Sequence, residues 1–157
     1  MNIETKNNSY SLLNIYAPND KKSRNYFFTH ISKLLLEHSE GLKLIGGDFN
    51  ETLNNQLDRT SRSTHTTVAT NKNVNLSNMI KEHNLTDIWR HTHPDKKQFT
   101  WRRKNNVDKS RIDYWLIENN LIPLMSSTDI RPAIIKYTDH MAISIKLKTP
   151  LKRGPGF

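Results

Sequence analysis

At 157 residues, with 34% hydrophobic and 25% charged residues, the chain has the length and composition of one folded domain or of one piece of a larger domain. The 24 Lys and Arg outnumber the 15 Asp and Glu, and the net charge of +9 favours polyanionic partners such as nucleic acid or an acidic membrane surface. The absence of Cys excludes disulfides, thiolate metal sites and cysteine nucleophiles, and without a membrane-spanning apolar run we expect an intracellular, soluble protein.

The first part of the chain predicts a strand, a helix and a second strand. Ser9–Tyr16 is short, apolar and rich in strand-forming residues, and turn-forming residues follow it. Apolar residues recur at helical spacing in Lys21–His38. Residues 42–45 predict a short buried strand that ends at a pair of glycines. Asp48 therefore falls just past the carboxyl end of a strand, where α/β proteins tend to bind ligands.

The rest of the chain predicts a polar loop, a helix and several short strands. Residues 51–70 are rich in Thr, Ser and Asn and predict a surface loop, and residues 73–83 have the apolar pattern of a helix. Further strands are predicted at residues 98–101, 110–116, 130–135 and 141–147. Residues 148–157 are basic and contain Pro and Gly, which predicts a linker after a domain of residues 1–147. The alternation indicates a mixed α/β sandwich with too few strands to be complete.

Polar residues that are capable of catalysis lie at the ends of four predicted strands. They are Asn14 and Tyr16, Asp48 and Asn50, Arg111 and Asp113, and Asp139 and His140. A single Asp or Asn in such a place is more often a turn residue or a helix cap. Four such pairs together predict one site that is assembled from several loops at one edge of the sheet.

The combined set suits hydrolysis of a phosphodiester. Asp48 can deprotonate water, and Asn50 can donate an amide N–H to a phosphoryl oxygen. Asp139 can hold a hard cation through oxygen. Asp113 can accept one N–H of His140, which fixes the tautomer and favours an imidazolium that meets the phosphate.

Five short motifs follow one another in an order that resembles the endonuclease/exonuclease/phosphatase family. They are Asn14-Ile15-Tyr16, Gly46-Gly47-Asp48-Phe49-Asn50, Thr100-Trp101, Ser110-Arg111-Ile112-Asp113-Tyr114 and Thr138-Asp139-His140. Within that family, the chain is most similar to the apurinic/apyrimidinic-like endonucleases of LINE-type retrotransposons. The resemblance implies an incomplete four-layer α/β sandwich and a Mg²⁺-dependent enzyme, with Mn²⁺ as a possible substitute. It also implies nicking of DNA to leave a 3′ hydroxyl that primes reverse transcription, a reverse transcriptase downstream, and action in the nucleus.

The resemblance also implies which residues do the chemistry. The catalytic set is Tyr16, Asp48, Asn50, Asp113 and His140. The metal set is Asp139 together with Asp48 and Asn50. In these roles Tyr16 and His140 contact the scissile phosphate, Asp48 activates water and Asp113 orients the imidazole.

One departure from the family concerns the start of the chain. The family places an Asn and a metal-binding Glu on strands that precede the Tyr16 motif, whereas only residues 1–8 precede the first predicted strand here. The resemblance therefore covers the later part of the family's domain. Because a Mg²⁺ site depends on few protein oxygens, we expect this chain alone to be weak or inactive.

A cluster of basic residues follows Thr100 and predicts contacts with DNA. The predicted contacts are Trp101, Arg102, Arg103, Lys104, Lys109 and Arg111, and Asn105-Asn106 suits a turn at the tip of a hairpin. Three alternatives stay open. The basic cluster can be a solvated loop, the chain can be a phosphatase or repair nuclease of the same family, or it can be a non-catalytic copy that only binds nucleic acid.

Overall fold

A mixed five-stranded sheet forms the centre of the protein. The computed structural model describes residues 1–4, 9–38, 40–60, 73–104 and 107–148. Within these residues the elements are β1 (Asn2–Glu4), β2 (Ser9–Tyr16), α1 (Lys21–His38), β3 (Leu42–Asp48), α2 (Asn55–Asp58), β4 (Arg59–Thr60), α3 (Val74–Glu82), β5 (Leu85–Asp87), α4 (Ile88–Thr92), β6 (Trp101–Arg102), β7 (Lys109–Ser110), β8 (Asp113–Glu118), a 3-10 helix (Asn119–Leu124), β9 (Met125–Pro132) and β10 (Met141–Leu147).

The central sheet has the strand order β1-β2-β3-β8-β5. Strands β2 and β3 are parallel and are joined through helix α1, whereas the other neighbouring pairs are antiparallel. Two smaller antiparallel sheets have the orders β4-β7-β6 and β10-β9. The ends of β2 and β3 and the start of β8 therefore meet at one edge of the central sheet.

Helices α1 and α3 cover one face of the central sheet. Phe28, Ile31 and Leu35 recur along one side of α1 and are buried in the same cluster as Ile45 of β3 and Leu116 of β8. Removing this apolar surface from water stabilises the fold by about 25 cal/mol per Å². The packing holds α1 against the strands that it connects.

The opposite face packs against α4, the 3-10 helix and the β10-β9 sheet. Tyr10, Ile88, Ile117 and Leu121 are buried there, and Ile145 of β10 packs against them while half-buried. Helices, central sheet and second sheet thus form successive layers, and the predicted α/β sandwich is confirmed. Among the described residues, every helix is too short or too polar to cross a membrane.

Three predicted elements, β2, α1 and β10, have the bounds that the sequence pattern indicates. The single strand predicted at residues 110–116 is wrong, because Arg111 and Ile112 separate β7 from β8. The strand predicted at residues 130–135 instead ends at Pro132, and residues 133–138 form a loop.

Other elements also have bounds that differ from the predicted ones. The predicted strand at residues 98–101 begins only at Trp101, where β6 starts. Part of the predicted loop at residues 51–70 forms α2 and β4. Residues 61–70 of that loop, the Asn105-Asn106 turn and residues 149–157 of the predicted linker lie outside the described residues.

Candidate active site

Three of the predicted catalytic residues lie side by side on adjacent strands of the central sheet. Tyr16 on β2 is the register partner of Asp48 on β3, and Asp48 is in turn the register partner of Asp113 on β8. Neighbouring strands lie about 4.8 Å apart, so the three side chains form one row across the sheet edge. Tyr16 is exposed, Asp48 is half-buried and Asp113 is buried. The row therefore runs from solvent into the protein.

The turn after β3 places Asn50 beside Asp48. Asn50 has a φ of +48°, a left-handed conformation that Asn adopts more readily than most residues. Its backbone N–H donates to Oδ1 of Asp48 at 2.8 Å, and its Nδ2 donates to the carbonyl oxygen of Ala17 at 2.7 Å. The amide is thereby tied to the loop after β2, and its amino group carries a second N–H that can be donated to a ligand.

Asp113 and His140 form the pair predicted from the sequence. Nδ1 of His140 lies 3.0 and 3.1 Å from the two carboxylate oxygens of Asp113. Because an ionised carboxylate only accepts, Nδ1 carries the hydrogen and donates it, which leaves Nε2 as the ring nitrogen that can meet a ligand. The backbone N–H of His140 donates to Oγ1 of Thr138 at 3.1 Å. Asp113 thus holds the ring of His140, and Thr138 holds its backbone.

Thr100 fixes the backbone on both sides of this pair. Its fully buried hydroxyl oxygen accepts the backbone N–H groups of Ile112 at 3.1 Å and of Asp113 at 3.0 Å. Its carbonyl oxygen accepts the backbone N–H of Met141 at 2.6 Å. One residue therefore positions the strand that carries Asp113 and the segment that carries His140.

Tyr16, Asp48, Asn50 and His140 line one cleft of about 440 Å³, whereas Asp113 lies behind His140 and outside the cleft lining. The cleft is lined by Tyr16, Asn19, Asp48, Asn50, Arg59, Trp101, Ser110, Ile112, Asp139 and His140. Asp139 is exposed, and its Oδ2 accepts the indole N–H of Trp101 at 2.9 Å. The structure thus brings the predicted catalytic and metal residues together around one space.

Burial raises the pKa of the Asp48 carboxyl above its usual value. The N–H of Asn50 and the imidazole of His140 lower this pKa, while the negative charge of Asp113 raises it further. A carboxylate whose pKa is raised toward neutral pH holds an abstracted proton more strongly. The carboxylate of Asp48 is therefore a stronger proton acceptor than that of an Asp in water.

The cleft offers several oxygen atoms to a cation. Ligand atoms of Asp48, Asp113 and His140 lie within 4.8 Å of one another. Of the predicted metal residues, Asp48 belongs to this group, whereas Asn50 and Asp139 lie outside it and line the same cleft. Carboxylate and amide oxygens are the ligands that hard divalent cations prefer, so these residues fit Mg²⁺ or Mn²⁺.

Most of the predicted DNA contacts lie on the β6-β7 hairpin, which reaches the cleft through Trp101. Arg102, Arg103 and Lys104 are exposed there, and Lys109 is half-buried. Arg103 forms an exposed ion pair with Asp108 at 3.1 Å, which contributes little to stability. The hairpin therefore presents several cations beside the cleft.

Arg111 is a correction to the predicted DNA contacts. Its side chain is fully buried, its Nε donates to Asp58 at 2.8 Å, and its Nη2 donates to Asp58 at 3.0 Å and to Asp87 at 2.6 Å. Asp58 is buried as well and also pairs with Arg90. Arg111 thus anchors α2 and β5 beneath the site and cannot reach a phosphate from this position.

Sequence reasoning did not single out Arg59 and Asn19, which both line the cleft. Arg59 is exposed on β4, a strand of two residues that pairs with β7 through Ser110. A strand this short has no periodicity that a pattern could detect.

No protein-family model matches the chain. Among curated proteins, the "Transposon TX1 uncharacterized 149 kDa protein" of Xenopus laevis is 31% identical over 151 residues, which are 94% of this chain and 11% of that protein. The chain therefore spans only a small part of this relative.

Several solved structures have the same fold. An AP endonuclease from Archaeoglobus fulgidus matches with a TM-score of 0.72 and 13% identity, over 90% of this chain and 64% of that one. The Xenopus laevis APE2 catalytic domain matches with a TM-score of 0.71 and 22% identity, over 90% of this chain and 50% of that one. The endonuclease domain of TRAS1, a telomere-specific non-LTR retrotransposon, matches with a TM-score of 0.68 and 14% identity, over 96% of this chain and 63% of that one. The fold implied by the family resemblance is confirmed.

Proposed function

We propose that this chain is part of a metal-dependent endonuclease that nicks DNA, of the kind carried by LINE-type retrotransposons. The observation that carries the proposal is one cleft that is lined by Asp48, Asn50 and His140, with His140 held by Asp113. The similarity of nearly the whole chain to a transposon protein supports the transposon setting. In this proposal the nick leaves a 3′ hydroxyl, a downstream reverse transcriptase extends it, and the reaction takes place in the nucleus.

The residues in the cleft divide the chemistry among them. Asp48 accepts a proton from the attacking water, which its raised pKa favours. With hydrogens on both ring nitrogens, His140 donates from Nε2 to a phosphoryl oxygen while its Nδ1–H donates to Asp113. Asn50 donates its second amide N–H to the same phosphoryl group, and the exposed hydroxyl of Tyr16 adds a further donor.

Asp48, Asn50 and Asp139 would hold the divalent cation. Such a cation neutralises charge that develops on the phosphoryl and leaving oxygens. Three protein ligands at the mouth of an open cleft bind Mg²⁺ weakly, since Mg²⁺ retains several water ligands. The chain spans 64% of the archaeal endonuclease that shares its fold. We therefore propose that full activity needs the family's preceding strands and their Glu.

DNA binding in this proposal depends on cations around the cleft. Arg59 lines the cleft, and Arg102, Arg103 and Lys104 are exposed on the neighbouring hairpin. Contacts of this kind with phosphates release counterions, so affinity falls steeply as salt increases. They supply affinity without sequence preference.

The test uses supercoiled plasmid with Mg²⁺ or Mn²⁺, incubated with this chain or with a form extended at its N-terminus by the family's preceding strands. We expect the extended form to nick and the shorter chain to nick slowly or not at all. Asp48→Asn in the extended form should reduce the rate by about 10²- to 10⁴-fold, because it removes the base. Asp95→Asn is the matched control, since Asp95 is exposed and does not line the cleft.

The nicked product also reports the chemistry. A DNA polymerase should extend the nick directly, because a 3′ hydroxyl is the product proposed. Nicking that survives Asp48→Asn would exclude Asp48 as the base. If the extended form binds DNA but never nicks it with either cation, the chain is a nucleic-acid-binding module and the proposal is wrong.

A further inference from the structure

Exposed apolar side chains are concentrated on the loop of residues 133–138, which leads to His140. Ile134, Ile135 and Tyr137 are 101%, 77% and 103% exposed, so they pack against almost nothing in the described chain. Of the eight large hydrophobic side chains exposed in the described residues, these three fall within four consecutive positions. A patch of apolar side chains in water usually marks a surface that a partner covers.

Both ends of the 133–138 loop are fixed next to the cleft. Pro132 pairs with Met141 where β9 and β10 meet. The backbone N–H of Arg102 donates to the carbonyl oxygen of Asp139 at 3.1 Å, and His140 forms a backbone bridge with Trp101. Whatever covers the loop therefore lies beside the proposed active site.

The distance between the loop and the site is limited by the chain itself. Tyr137 is three residues before His140, and an extended chain spans at most about 3.6 Å per residue, so their Cα atoms lie within about 11 Å. Nucleotides in a strand of duplex DNA rise about 3.4 Å each. A short stretch of one strand can therefore contact both the Tyr137 ring and a phosphate held by His140.

The loop is basic as well as apolar. Lys136 is exposed between Ile135 and Tyr137, and residues 133–138 include no acidic side chain. Arg131, also exposed, lies just before the loop and pairs with Asp129 at 2.8 Å, and the exposed Asp139 follows the loop. An aromatic ring with neighbouring cations suits a nucleic-acid strand, because bases stack on the ring and phosphates attract the cations.

Resting on the proposed function, we propose that the 133–138 loop binds unpaired bases of the DNA strand close to the scissile phosphate, with Tyr137 as the stacking side chain. Bases inside an intact duplex are stacked on each other, so their faces are not available to Tyr137. The loop therefore favours DNA that is unpaired or distorted close to the cut. Ile134 and Ile135 cover the same bases from the side.

The test compares binding of the whole chain to a fully paired duplex and to the same duplex with a short central bubble, in EDTA so that no cleavage occurs. A 2-aminopurine in the bubble reports stacking through quenching of its fluorescence. We expect the chain to prefer the bubble, and Tyr137→Ala to weaken bubble binding about tenfold and remove the quenching. Binding to the paired duplex should change little. Tyr26→Ala is the matched control, because Tyr26 is 69% exposed on α1 and does not line the cleft.

The outcomes separate this inference from the proposed function. If the chain binds both DNAs and Tyr137→Ala binds them as the unmodified chain does, the stacking role is wrong while the nuclease proposal stands. If the chain binds neither DNA even at low salt, the proposed function fails and the inference with it. If Tyr137→Ala changes the oligomeric state in solution and leaves DNA binding unchanged, the loop is a protein interface and the inference is overturned.

Discussion

Replacing Arg111 by Met should destabilise the protein strongly. Arg111 and Arg90 balance the carboxylates of Asp58 and Asp87, and the side chains of Arg111 and Asp58 are completely inaccessible to solvent. Removing Arg111 leaves two carboxylates with Arg90 as their one cationic partner among the described residues. Breaking a buried ion pair in this way costs about 3–5 kcal/mol, which is a large share of a typical unfolding free energy of about 5–15 kcal/mol.

Urea unfolding followed by Trp fluorescence measures this cost, since the guanidinium carbon of Arg111 lies 5.3 Å from the centre of the Trp89 ring. With a slope of about 2 kcal/mol per M urea, the midpoint should fall by about 1.5–2.5 M. Arg131→Met is the matched control, because Arg131 pairs with Asp129 on the surface, where the two side chains are 66% and 51% exposed. That pair should contribute less than about 1 kcal/mol. Equal midpoint shifts for the two variants would refute the argument from burial.

Three further predictions concern the site and its supports. Asp48→Asn should raise the free energy of unfolding at pH 7 without divalent cations. The pKa of Asp48 is raised above 3.8 in the folded state, so at pH values between the unfolded and folded pKa the folded state binds more protons than the unfolded state. Stability is therefore lost as pH rises from the unfolded pKa through the folded pKa, and the substitution removes this loss. The difference in urea midpoint between this variant and the unmodified chain should vanish below the unfolded pKa of Asp48. A difference that is the same at every pH would contradict this reasoning. Thr100→Val should cost about 1–3 kcal/mol in urea unfolding, since it removes the buried acceptor of two backbone N–H groups, whereas Thr100→Ser should retain most of the stability. Gly46→Ala should lower the thermal midpoint, because a Cβ there would lie 2.6 Å from the Trp115 ring; an unchanged midpoint would show that the ring moves freely.

The parts of the fold that sequence predicted well are those with a local pattern. Helix α1 and strands β2 and β10 carry their periodicity within themselves, so their bounds could be read from residue spacing. The position of Arg111 depends on Asp58, which is 53 residues away in sequence, and no local pattern records that partner.

The candidate site shows the same division. Tyr16, Asp48 and Asp113 could be grouped because each stands at a strand boundary and within a recognisable motif. Arg59 was missed because its place in the cleft follows from how β4 pairs with β7, which is a tertiary contact. The strand predicted at residues 130–135 failed because its apolar residues Ile134 and Ile135 face solvent, whereas the pattern assumes that such residues are buried.

The hydrogen bond between Asp113 and His140 spans two different sheets. Asp113 begins β8 of the central sheet, and His140 directly precedes β10 of the two-stranded sheet. The pair therefore exists only in molecules in which the two sheets are docked, and local opening of this kind requires less free energy than global unfolding. Weakening the contact of half-buried Ile145 with the central layer would then break the Asp113–His140 pair in a fraction of the molecules while most of the fold is retained.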